Sequence, residues 1–184
     1  MASGFHGRQA NALTCTLNGM YQPRFFLHMN TIDAGMHKSR TANSPHPVLR
    51  IDGVPLEQWI KGVKDVAGDD MTDYLVPAQG WLIDQADDEN AWHLLNPQSE
   101  GSATVVPILV CADDMDMNCT VVVVEQTVNA DTVAWERFGQ AVDVRHGIVT
   151  SVKWITPHQK AVFPLSSFRA AAAEMKRLTD EVWT

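Results

Sequence analysis

Apolar residues recur along this chain with two different spacings, and the change of spacing divides it into parts. Leu56, Trp59, Ile60 and Val63 return every three or four residues, which predicts an amphipathic helix over 55–66 with Pro55 at its first position. Gly68, Asp69 and Asp70 end it. A second helix is expected over 86–95. Asp84 stands at its N-cap, Asp87, Asp88 and Glu89 lie in its first turn, and Trp92 and Leu95 face inward. Between the two helices, 75–83 (LVPAQGWLI) is apolar but broken by Pro77 and Gly80, so two short extended pieces are expected there.

The period then changes. Residues 103–111 (ATVVPILVC) and 119–128 (CTVVVVEQTV) are dense in β-branched residues and read as strands. The short link 129–131 joins the second of them to 132–138 (TVAWERF) as a hairpin. Further strands are expected at 48–51, with Asp52-Gly53 as a turn, and at 149–155 and 160–165. A closing helix from about 166 to 183 carries the stripe Phe168, Ala172, Met175, Leu178 and Val182. Strands in the middle with helices before and after them predict a single α+β domain over 48–184. Its antiparallel sheet is packed on one face by two or three helices, the longest of them C-terminal. Residues 1–47 read as an irregular N-terminal arm, partly strand or disordered: Leu13, Cys15 and Leu17 alternate, 24–29 (RFFLHM) suits a strand, and TANSPHP closes the arm.

Charge sharpens this picture. The net charge of −8 conceals an asymmetry. Residues 1–50 hold five Lys/Arg and one acid, residues 51–131 hold two Lys and sixteen acids, and residues 132–184 hold seven bases and five acids. A central segment of net −14 repels phosphate backbones, which argues against nucleic acid as a ligand, and it attracts a basic partner. Three cysteines, Cys15, Cys111 and Cys119, form no C-x-x-C pair, as expected of a reducing compartment. The opening MASGFHGRQANALTC has no basic n-region followed by an apolar run, and the apolar stretch at 121–124 is far shorter than the ~20 residues of a membrane span. A cytoplasmic protein with no membrane contact is expected.

With Asp114 as position 1, Asp116, Asn118 and Glu125 fall at positions 3, 5 and 12 of a calcium-loop pattern. Cys119 occupies the position where that loop requires glycine, and strands flank it, so Glu125 cannot fold back onto Asp114. The stretch reads instead as an acidic turn between two strands. His28, His37 and His46 lie nine residues apart, a spacing with no coordination rationale. G-x-S-x-G, G-x-G-x-x-G and Walker patterns do not occur. Asp87 and Asp88 are neighbours on a helix and point about 100° apart, so they do not converge on one substrate. No catalytic residue, cofactor or metal is assigned, and the chain reads as a binding protein rather than an enzyme. Two alternatives stay open. One is a small hydrolase or transferase using a Cys or His assembled by the fold. The other is a homodimeric structural or regulatory subunit joined through 103–128.

The runs VLRIDGVPLEQWI, LVPAQGWLID, VPILVCADDMDMNCTVVVVE and AWERFG, within residues 48–139, resemble small immunity proteins of bacterial contact-dependent or Rhs-type toxin systems. That resemblance implies a cytoplasmic, acidic, non-enzymatic protein that binds a cognate toxin domain and blocks it. It transfers no functional residue. Nuclease toxins are commonly basic, so the expected docking residues are Asp84, Asp87, Asp88, Glu89, Asp113, Asp114 and Asp116.

Overall fold

The computed structural model describes residues 29–65, 67–97 and 99–182. The pattern Leu13–Cys15–Leu17 and most of the 24–29 run lie outside them. Among these residues, two antiparallel sheets and three α-helices make an α+β fold. The smaller sheet consists of β1 (Ile32–His37), β2 (His46–Ile51) and β3 (Val54–Pro55). β2 and β3 are joined by Asp52-Gly53, both at positive φ, as a two-residue hairpin turn requires. The larger sheet runs β4 (Leu75–Pro77), β5 (Ala103–Cys111), β6 (Val121–Asn129), β7 (Thr132–Arg145), β8 (Ile148–Trp154), with β9 (Ala161–Pro164) paired to the start of β7.

The expectation of one sheet covered on one face is corrected by this arrangement, because both faces of the larger sheet are buried. Val122 and Val124 join a core with Trp135, Phe163, Phe168 and the small sheet, while Val121 and Val123 face a second cluster with Val76, Val110 and Met117. Val144, Val149 and Val152 pack against that second cluster, so the far half of the β7–β8 hairpin covers it. Register breaks at Ala141/Asp143 and Asp143/Val144 give β7 the bend this needs. A strand buried on both faces reads as a continuous apolar run, which accounts for the VVVV of β6.

Helix α1 is a single turn, Leu56–Trp59, not the helix expected over 55–66. Gln159 explains the stop: its side chain accepts from Lys61 N at 2.7 Å and donates to Trp59 O at 3.1 Å, taking groups that a continuing helix would use. Gly62 then turns the chain at φ +82, and Ile60 and Val63 are buried without helical geometry. The 75–83 run gives one short strand, β4, followed by a turn rather than a second extended piece.

Helix α2 (Gln85–Leu95) and helix α3 (Leu165–Val182) fall within a residue or so of their expected bounds. α2 covers the part of β5 that β4 leaves unpaired. The buried amide of Gln79 ties them together, donating to Pro107 O at 2.8 Å and to Ala91 O at 3.1 Å. The buried stripe of α3 is Phe168, Ala171, Ala172, Met175 and Thr179; Val182, expected inside, is exposed. Thr179 turns inward because it closes over Gly80. A Cβ on Gly80 would stand 2.4 Å from Thr179 Cγ2, and its φ of +84 already disfavours any side chain. Gly80→Ala should therefore destabilise the fold by about 2–3 kcal/mol in urea unfolding. A loss under about 0.5 kcal/mol would show that α3 does not seat there as described.

Candidate functional site

Asp84 is placed by α2 as expected: it is the N-cap, and its carboxylate accepts from the backbone N–H groups of Ala86 (2.9 Å) and Asp87 (3.1 Å). Those bonds use one oxygen, and the residue stays exposed. The preceding residue links this helix start to a distant part of the chain. Ile83 N donates to Met115 O at 3.0 Å, fastening the 78–84 loop to the turn between β5 and β6. That turn folds on itself: Met115 N returns to Cys111 O at 2.9 Å, and the Asp116 carboxylate accepts from Asn118 N and Nδ2 at 2.6 and 2.7 Å.

Two acidic segments some thirty residues apart in sequence are thereby joined. Burial, then the charges of Asp84 and Asp116, pushes the Asp87 carboxyl upward, so both neighbours lie within electrostatic reach of Asp87. The tip of the β7–β8 hairpin, His146-Gly147, closes against Asp87: a Cβ on Gly147 would lie 2.0 Å from Asp87 Oδ1. Asp113 and Asp114 are exposed on the same turn, and Glu89 is exposed one helical turn further along, hydrogen-bonded to Gln85 at 2.8 Å. Asp88 has an internal task. Half-buried, it accepts from Gly80 N at 2.5 Å and holds the 78–82 turn beneath α3; burial raises its pKa and that hydrogen bond opposes the rise.

No Lys or Arg forms an ion pair with Asp84, Asp87, Asp113, Asp114 or Asp116 among the described residues. Six cations pair with other acids: Arg50 with Asp33, Arg137 with Glu125, Arg145 with Asp143, Lys160 with Glu136, Lys176 with Asp180, and Arg177 with Glu174 and Glu181. Glu125, the twelfth position of the calcium-like pattern, lies on β6 and grips Arg137 with two hydrogen bonds of 2.9 and 3.0 Å. Ile83 adds an apolar element that sequence reasoning passed over. It is 70% exposed beside Asp84, at the seam between the two acidic segments.

No family model matches this chain, and neither the curated proteins nor the solved structures contain a match to it. The site must be read from its own chemistry.

A second group of residues was also hidden in the sequence. Register pairs His37 directly with His46 across β1–β2, and the rings lie 6.4 Å apart, with Trp81 edge-on to His46 at 5.0 Å. Glu57 Oε1 approaches His37 Nε2 to 3.2 Å, yet neither oxygen of this buried carboxylate has a hydrogen bond of ordinary geometry among the described residues. Burial pushes the Glu57 carboxyl up to about 7 and the imidazoles of His37 and His46 down. His46 is 1% exposed, and neither ring nitrogen is hydrogen-bonded in ordinary geometry, although the Ser44 backbone lies close enough to act on it. It lines a cavity of about 420 Å³ with Pro45, Val76, Trp81, Ala112 and Met115. The nine-residue spacing of the histidines concealed this, because only strand register brings His37 and His46 opposite each other.

Of the five tryptophans among the described residues, only Trp135 is fully buried. Trp59, Trp81, Trp92 and Trp154 are partly exposed.

Proposed function

We propose that this chain is a binding protein whose acidic face docks a basic protein partner. The observation that supports it most is the convergence of Asp84, Asp87 and Asp116, from segments far apart in sequence, with no Lys or Arg ion-paired to them among the described residues. Like charges held together raise the free energy of the unbound protein, and a cationic surface relieves that cost on docking. Such a field raises association rates and rejects acidic competitors. Ile83, among the carboxylates, supplies the apolar contact that a charged rim lacks. The resemblance to immunity proteins suggests the partner's class: a toxin domain that the complex would silence. No helix among the described residues is long and apolar enough to cross a membrane.

The test is affinity capture from an extract of the source cell with the wild-type chain and with an Asp84→Lys/Asp87→Lys/Asp116→Lys variant. Wild type should retain a basic protein that elutes with rising salt. The variant, with unchanged circular dichroism, should lose affinity by about 100-fold or more, chiefly through the on-rate. Equal capture by both chains, or salt-insensitive binding, would remove the proposal. If the partner is a toxin, co-expression with wild type but not with the variant should restore growth.

A small-molecule site at the His46 cavity is the second reading, favoured by a buried imidazole left without ordinary hydrogen bonds in a pocket with an apolar wall (Val76, Trp81, Ala112, Met115) and a polar rim (Thr41, Asn43, Ser44). Ligands whose thermal stabilisation is abolished by Trp81→Ala and untouched by the acidic reversals would support it.

A further inference from the structure

Beside the acidic face, the β5–β6 turn gathers two thiols and a carboxylate. Cys111 is the last residue of β5, and its backbone N–H donates to Thr120 O at 3.0 Å, which fixes the start of β6 against it. Cys119, one residue earlier than Thr120, is thereby carried next to Cys111. The turn between them is tight. Met115 adopts the left-handed conformation (φ +48), its N–H returns to Cys111 O, and Cys119 N donates to Asp116 O at 3.3 Å. Asp114 is folded back over both cysteines as a result. The two Sγ atoms and a carboxylate oxygen of Asp114 all lie within 4.8 Å of one another.

We propose that Cys111, Cys119 and Asp114 form a binding site for a thiophilic divalent cation, zinc in the first place. The donor set is the first argument: two thiolates with one carboxylate select zinc over calcium or magnesium, which want oxygen alone. Spacing is the second. A tetrahedral zinc ion with Zn–S bonds of about 2.3 Å holds its sulfurs about 3.8 Å apart, so three ligand atoms already within 4.8 Å need to close by about 1 Å, a side-chain movement. Access is the third. Cys111 is buried and fixes the floor, Cys119 is partly buried, and Asp114 is exposed. An open cleft of about 330 Å³ lined by Asp114, Asp116, Asn118 and Cys119 opens onto Asp114 and Cys119, leaving a fourth position for water or for Asp116.

Without the ion, the Cys119 thiol keeps its proton. Burial first, then hydrogen bonding with Asp114, pushes its pKa up to about 12. Binding replaces protons: two thiols each release one to solvent as their sulfurs become thiolates, and the zinc complex with Asp114 carries a net charge of −1. The exposed acids nearby, Asp113 and Asp116, draw the cation in. Zinc binding would also lock the turn that presents Asp113, Asp114 and Asp116, making the site a clamp on the acidic face rather than a reaction centre.

The experiment uses the full chain, reduced, with Cys15→Ser to remove the third thiol, titrated with Zn²⁺ against a chromophoric chelator and with Co²⁺ followed by its visible spectrum. One Zn²⁺ per chain is expected, with a Co²⁺ spectrum showing thiolate-to-metal charge transfer and tetrahedral d–d bands. Cys119→Ser should weaken Zn²⁺ binding by about 100-fold and abolish the charge-transfer band, and Asp114→Asn should weaken it by about 10-fold with the band retained. Cys119 is only partly buried, so its serine variant tests the site even if Cys111→Ser fails to fold. Absence of stoichiometric binding overturns the proposal. So does binding that Cys119→Ser leaves unchanged, which would assign the ion to histidines elsewhere.

Discussion

Trp135→Ala should lower the unfolding free energy by about 4 kcal/mol, the largest single-residue effect expected in this protein. Trp135 is fully buried where β7 crosses the main core, with ring centroids 5.9, 5.4 and 5.6 Å from Phe138, Phe163 and Phe168, each pair edge-to-face. Truncation removes three aromatic contacts and leaves a cavity bounded by β9, α3 and β7, which the rigid sheet cannot close. It also leaves Gln126 Oε1 without its donor. That buried amide accepts from Trp135 Nε1 at 2.9 Å and faces the carbonyls of Leu94 and Leu95 at the end of α2. Trp135→Phe keeps most of the packing but still leaves Gln126 Oε1 without its donor, so about half the loss should remain. Urea unfolding measures both. A Trp135→Ala loss under about 1 kcal/mol would mean that the aromatic cluster is not the centre of the fold.

Glu57→Gln should do the opposite, and only above a certain pH. The Glu57 side chain is 1% exposed, and burial raises its carboxyl from 4.5 to about 7. Below pH 4.5 the carboxyl is protonated in both folded and unfolded chains, so its charge contributes nothing to stability. Between 4.5 and about 7 the unfolded chain ionises while the folded one resists, and stability is lost progressively. Above about 7 both are ionised and the penalty is complete. The displacement from 4.5 to about 7 corresponds to about 3 kcal/mol. The difference between Glu57→Gln and wild type should therefore be flat below pH 4.5, climb through the window, and reach about 3 kcal/mol in the variant's favour by pH 8. His37, the nearest cation candidate at 3.2 Å, cannot offset the charge at neutrality, because burial holds its own pKa below 6.5. Chemical denaturation of both proteins from pH 4 to 8 gives the difference curve. A variant less stable than wild type throughout would mean instead that Glu57 is ionised and paired with a protonated His37. A stability cost retained in a buried carboxylate and two histidines is a pattern more common at working sites than in inert cores.

The elements most legible in the sequence were those whose signal is local. Asp84 as N-cap, the VVVV of β6, the short link to β7 and the alanine-rich C-terminal helix each depend on residues within a few positions of one another. Expectations failed where a distant residue intervened. Gln159, about a hundred residues away, ends α1 after one turn. Gly80 draws Thr179 inward and leaves Val182 outside, shifting the buried stripe of α3 around its axis. Apolar periodicity fixes that a face exists, but the neighbour decides which residues complete it.

The acidity of this protein shows the same division. Composition alone determined that residues 51–131 carry a net charge of −14 and that Asp84, Asp87, Asp113, Asp114 and Asp116 fall into two groups. Whether those groups stand apart or together is a property of the chain's path. The Ile83–Met115 hydrogen bond and the closure of the β7–β8 turn on Asp87 bring them onto one face, while ion pairs within the strands and α3 engage six of the Lys and Arg side chains with other acids. Tertiary structure likewise set His37 opposite His46 and Cys111 beside Cys119, because strand register brings together residues whose spacing along the chain carries no signal. Charge is additive and can be counted along a sequence; proximity is not, and it exists only once the chain has folded.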